Sequence, residues 1–102
     1  MNTIHNKIEG DVRITETTQL NGMIVGETRV AAGVKLFLGG MVVGNVLLEL
    51  DSAVELRGMV TGSVINDGGD LEIYGMVNGD VLRRAGKTNI HPNAVIQAGS
   101  LK

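Results

Sequence analysis

The chain of 102 residues contains no cysteine and no tryptophan, one proline (Pro92) and two aromatic side chains, Phe37 and Tyr74. Without cysteine there is neither a disulfide framework nor a Cys-based zinc site, and a cytoplasmic setting is the default expectation. The formal net charge of −2 and a pI near 5.6 leave no strongly basic surface. Nucleic acid and anionic membranes are therefore poor candidates as main partners, because counterion release needs clustered cations. No apolar run approaches the ~20 residues of a transmembrane helix, and the opening stretch MNTIHNKIEG lacks the apolar segment of a secretory signal. A hydrophobic content of 43% with so few rings requires a core of aliphatic side chains. A single domain of this size buries only ~60–65% of its unfolded surface, so it depends on regular packing or on partners.

What the chain has in quantity is glycine, 15 residues of it, and the glycines fall in register. The segments Gly22-Met23-Ile24-Val25-Gly26, Gly40-Met41-Val42-Val43-Gly44, Gly58-Met59-Val60-Thr61-Gly62 and Gly75-Met76-Val77-Asn78-Gly79 begin 18, 18 and 17 residues apart. Four residues before each first Gly stand Thr18, Leu36, Val54 and Leu71; two before it stand Leu20, Leu38, Leu56 and Ile73; six after it stand Thr28, Val46, Val64 and Val81. A partial copy opens the chain, Ile8-Glu9-Gly10-Asp11-Val12, and another closes it at Asn89-Ile90-His91-Pro92.

Apolar positions two residues apart are strand alternation and not the 3.6 period of a helix. A period of 17 to 18 residues fits one triangular turn of a β-solenoid with three strands of about six residues. The expected fold is thus all-β, one domain over residues 1–102 with repeats near 5–16, 17–34, 35–52, 53–69 and 70–86 and a C-terminal cap at 87–102. Roughly five and a half coils stacked at ~4.8 Å make a rod about 25 Å long. Leu20, Leu38, Leu56, Ile73 and Ile90 form one inner ladder, and Ile8, Ile24, Val42, Val60 and Val77 the next. Glycines take the corners, where φ > 0 or close backbone approach is required. Eighteen is also three hexapeptides, the unit of left-handed β-helices, and Leu36, Val42, Leu48, Val54 and Val60 recur every six residues. The 17-residue coil breaks that count, and Phe37, Val43, Glu49, Glu55 and Thr61 stand where its Gly is expected, so a right-handed helix is preferred.

This recurrence of Gly-x-Val-x-Gly-x-Val/Ile every 17 to 18 residues, with Gly-rich corners and few aromatics, resembles the bactofilin core domain over Ile8 to about Ile96. The resemblance implies a right-handed triangular β-helix that polymerises end to end without nucleotide into bacterial cytoskeletal filaments or scaffolds, often at a membrane. Two features set this sequence apart from that family: it lacks polar or Pro-rich flanking tails, and outward positions commonly charged there are here Met.

Alternation places Met23, Met41, Met59 and Met76 on the outside as a ladder flanked by Val25, Val43, Thr61 and Asn78, with a second apolar row at Leu47, Ile65 and Leu82. An exposed stripe of this kind is an adaptable interface, and a homodimer is its commonest use; the competing reading has the corners turn Met back into the prism. The ends are a second contact candidate, since a terminal coil presents unpaired strand edges. Pro92 is expected to block coil addition and cap the C-terminal end, because it cannot donate to a ladder. The expected partner is a second copy, as dimer or polymer. An alternative is a small protein-binding module, such as an immunity protein neutralising a toxin domain, whose acidic face (Glu49, Asp51, Glu55, Asp67, Asp70) meets a basic partner surface; Arg83, Arg84 and Lys87 are expected opposite that face.

Catalytic, metal or cofactor chemistry has little to stand on. His5 and His91 lie about five coils apart, and serines occur only at 52, 63 and 100, outside any nucleophile elbow. Asp67, Asp70 and Glu72 around Gly68-Gly69 lack Ca²⁺-loop spacing. The Gly repeats are not dinucleotide fingerprints, which need a strand leading into a helix. The expectation is a non-enzyme without cofactor or metal.

Overall fold

A computed structural model describes residues 1–98 and shows an all-β, single β-solenoid of about six turns, with parallel sheets and no helix among those residues. Face A stacks β1 (Asn2–Ile4), β4 (Thr18–Leu20), β7 (Lys35–Leu38), β10 (Ala53–Leu56) and the second halves of β12 (Val64–Ile73) and β14 (Val81–Ile90). Face B stacks β2 (Lys7–Glu9), β5 (Met23–Val25), β8 (Met41–Val43), β11 (Met59–Val60), β13 (Met76–Val77) and β15 (Val95–Ile96). Face C stacks β3 (Val12–Ile14), β6 (Thr28–Val30), β9 (Val46–Leu48) and the first halves of β12 and β14. The molecule measures 30 × 24 × 21 Å, close to the length that coil stacking implies.

Each full coil turns five side chains inward, two on face A, one on face B and two on face C. In the third coil these are Leu36, Leu38, Val42, Val46 and Leu48, all at most 1% exposed. A strict six-residue count would have put Leu38 and Leu56 outside; both are buried, which is why the hexapeptide series catches only part of the core. Both inner ladders read from the sequence are present in register, and Ile4 adds a first rung below Leu20.

The corner between faces A and B is where glycine is indispensable. A Cβ on Gly22, Gly40, Gly58 or Gly75 would collide with the main-chain carbonyl oxygen of the coil beneath, at Asn6, Gly22, Gly40 and Gly58 respectively. At the next corner Gly10, Gly26 and Gly44 hold φ of 116°, 152° and 143°, which side chains disfavour. The third corner is irregular. There β12 and β14 run ten residues each around the bend, with register shifts flanking Asp67, and bring Asn66 into the core. Asn66 is fully buried and fully employed: Nδ2 donates to the carbonyls of Gly69 (3.2 Å) and Lys87 (2.9 Å) and to Thr88 Oγ1 (3.0 Å), while Oδ1 accepts from the Gly68 and Gly69 amides.

Several expectations are corrected. Most strands are two to four residues long and not six, because tight corners consume the rest of each coil. The first coil begins at Asn2, ahead of the expected repeat at residue 5, and steps only from Asn2 to Thr18. Pro92 does not end coil addition: it sits in a turn closed by the Ala94 amide donating to His91 O (3.0 Å), and the chain then lays β15 onto β13. Residues 87–97 therefore continue the last coil and are not a cap; residues 99–102 of the expected cap lie outside the described residues.

One defect stands out. Thr28 sits in the inner column of Val12, Val46, Val64 and Val81, fully buried, and its Oγ1 has no hydrogen-bond partner. Replacing that hydroxyl by methyl removes a desolvation cost, so Thr28→Val is expected to stabilise the fold by about 1 kcal/mol. Conversely, Gly58→Ala forces main chain apart and is expected to destabilise by about 1–3 kcal/mol or more. Denaturant midpoints at constant m-value check both.

Candidate functional site

Face B carries one inward residue per strand between two outward ones, so each of its coils shows two side chains to solvent. The first outward column is Lys7, Met23, Met41, Met59, Met76 and Val95, in continuous register. The second is Glu9, Val25 and Val43, continued by Thr61, Asn78 and Gln97. All four methionines are half-buried by their neighbours and point away from the core, whose face-B rungs are Ile24, Val42, Val60 and Val77. They have not been turned into the prism. From the second coil to the sixth, neither column contains a charge; only the first coil does, where Lys7 Nζ meets Glu9 Oε1 at 3.2 Å.

Between the methionines and face A runs an open groove of about 560 Å³ whose floor is the bare main chain of the corner glycines. Arg57 lines it, and a stack is built on that residue: the Arg57 guanidinium lies over the Tyr74 ring (4.2 Å to the centroid), and Tyr74 lies on His91 (centroids 3.9 Å, planes 10° apart). His91 Nε2 also contacts Glu72 Oε1 at 2.8 Å, and Asn89 Nδ2 donates to Glu72 Oε2 at 2.7 Å. These donors hold the Glu72 carboxyl below its ordinary range. None of the expectations drawn from the sequence grouped these residues, although residues 57, 74 and 91 share the 17-residue spacing of the later coils.

Leu47, Ile65 and Leu82 do form the second apolar row, on face C, continuing a column that starts with Arg13 and Arg29. The acidic residues are scattered and largely engaged. Glu49 takes a bidentate pair from Arg13 (2.9 and 3.0 Å), which pushes its carboxyl pKa down. Glu55 pairs with Arg57 at 3.0 Å, and Asp67 lies 4.0 Å from Arg84. Asp51 occupies a corner with φ of 62°, and Asp70 stacks directly under Lys87. The expectation of a basic group opposite the acidic face is thus corrected: one coil further on, Lys87 stacks over Asp70, and Arg84, next to the Ala85 that is in register with Asp67, reaches that carboxylate. His5 and His91 stand at opposite ends, as the spacing required, and no group of three metal-ligating side chains occurs among the described residues.

Compared with protein-family models, with curated proteins and with solved structures, the chain matches none. The fold and the outward columns are accordingly what a functional reading has to rest on.

The Glu72 cluster makes a pH prediction. A carboxyl whose folded pKa is depressed stabilises the fold above its unfolded pKa, about 4.3, and that contribution disappears as pH falls through the lower folded value. Glu72→Gln is expected to lower stability at neutral pH and to flatten its decline below about pH 4.5, so that the two proteins converge in acid; parallel curves in urea titrations across that range would exclude the coupling.

Proposed function

We propose that this chain is a non-enzymatic, self-associating β-solenoid scaffold of the cytoplasm, of the kind that bactofilins represent. The supporting observation is face B, where five successive coils show solvent only Met, Val, Thr, Asn and Gln in two straight columns. Soluble monomers rarely expose a contiguous stripe of this kind, and methionine side chains adapt to whatever surface covers them. The first coil supports a second contact. Among the described residues β1, β2 and β3 are each paired on one side only, with Ile4, Ile8 and Val12 incompletely covered, so another copy can add coils there. A toxin-neutralising role through the acidic face has less support, because Glu49, Glu55 and Asp67 already have arginine partners within the chain.

Sedimentation and light scattering over a micromolar to millimolar series are expected to show mass rising with concentration; a strict monomer throughout would overturn the reading. Met41→Lys combined with Met59→Lys places two charges in the stripe and is expected to weaken association about tenfold or more. The β-type circular dichroism should persist, since both side chains lie outside the core.

A further inference from the structure

We infer that face B pairs with the same face of a second copy about a two-fold axis parallel to the solenoid axis, so that two solenoids lie side by side and point the same way. The inference rests on the self-association proposed above and specifies its geometry. A flat face can meet its own copy about either of two in-plane two-fold axes. An axis along the strands reverses the partner solenoid and sets each outward column against itself. An axis along the solenoid keeps the coils level and exchanges the columns, setting the methionine column of one copy against the second column of the other.

Charge and size both select the second arrangement. In the reversed pairing Lys7 would face Val95 of the other copy and Glu9 would face Gln97, so each charge would lose water without gaining an opposite charge. Methionine would also oppose methionine, while the smaller side chains of the second column faced one another across a gap. In the level pairing Lys7 of each copy faces Glu9 of the other, so each charge that loses water has an opposite charge across the interface as well as within its own chain. Met41 then opposes Val43, Met59 opposes Thr61 and Met76 opposes Asn78, so large meets small at every step and the combined depth stays even. Identical coil spacing in the two copies keeps this match from the first coil to the last. A face bounded by the 30 and 21 Å dimensions of the molecule buries about 1,200 Å² at most in total, the lower edge for specific complexes, so the dimer is expected to be weak, in the micromolar range.

The test uses the full chain and its natural lack of cysteine. A spin label on Gln97→Cys, at the rim of the last coil, reports the polarity of the pair. With faces about 10 Å apart and coils ~4.8 Å apart, the level pairing puts the two labelled positions about 12 Å from each other, whereas the reversed pairing puts them about 26 Å apart. Short-range dipolar broadening at concentrations where sedimentation detects dimer is the expected result. A longer distance, or no coupling in a sample that is dimeric, overturns the geometry and leaves self-association standing. Absence of any association overturns both.

A charge exchange gives an independent readout. Lys7→Glu sets a second carboxylate against Glu9 of the other copy and is expected to weaken the dimer about threefold to tenfold at low salt, and adding Glu9→Lys is expected to restore it. Equal association of all three proteins contradicts the level pairing.

Discussion

The fold depends on one close contact, main chain resting on main chain at the corner between faces A and B. Gly22, Gly40, Gly58 and Gly75 stack there with no room for a Cβ above the carbonyl of the coil below. Only a corner free of side chains lets successive coils approach to the ~4.8 Å that parallel strand pairing requires. Once that corner is set, register follows on all three faces, because a slip of one residue would turn every inward side chain out. The repeat is thus held by geometry as much as by hydrophobicity, and this explains why a chain so rich in a flexible residue forms a regular solenoid. Glycine here sacrifices conformational entropy in exchange for the closest possible stacking.

The same tightness accounts for the near absence of rings. Five inward side chains per coil occupy a triangular section three short strands wide, and Leu, Ile and Val supply nearly all of them. Both aromatic residues are outside, each under a cation: Lys35 over Phe37 at 4.6 Å and Arg57 over Tyr74. Two inward positions break the aliphatic rule, with opposite consequences. Asn66 satisfies its amide by folding β12 around a corner whose peptide groups it then binds. Thr28, two residues past the corner at Gly26, leaves its hydroxyl unpaired.

How much of this could be read in the sequence follows from which features repeat. The inner ladders, the corner glycines and the outward methionines recur at fixed spacing, so periodicity located them and the structure places them in register. Features that occur once were harder. Pro92 looks like a terminator because proline cannot donate to a ladder, yet a turn two residues longer than its counterpart at Gly75 absorbs it and the coil resumes at Val95. The basic residues lie next to the acidic ones and not opposite them because β12 and β14 cross the Asp67 corner as continuous strands. The Arg57, Tyr74 and His91 stack is not legible in the repeat for a related reason: three different residue types share one column, so equal spacing carries no likeness between them.

Because stacking inside the prism already secures the fold, the outward positions are free to differ, and they do. Face A presents Lys35, Glu55, Asp70, Glu72 and Lys87 to solvent, and face C begins with Arg13 and Arg29. Face B alone excludes charge over five coils. Coil stacking does not demand this, since the outward column of face A runs through Gln19, Phe37, Glu55 and Glu72 on an equally well-buried core. Nor does close packing between neighbouring methionines, because β-branched residues stack at least as well along a sheet surface. Methionine at four successive steps is thus not dictated by the prism, and the proposed self-association accounts for it, since a long, adaptable, uncharged side chain is suited to being covered by another surface.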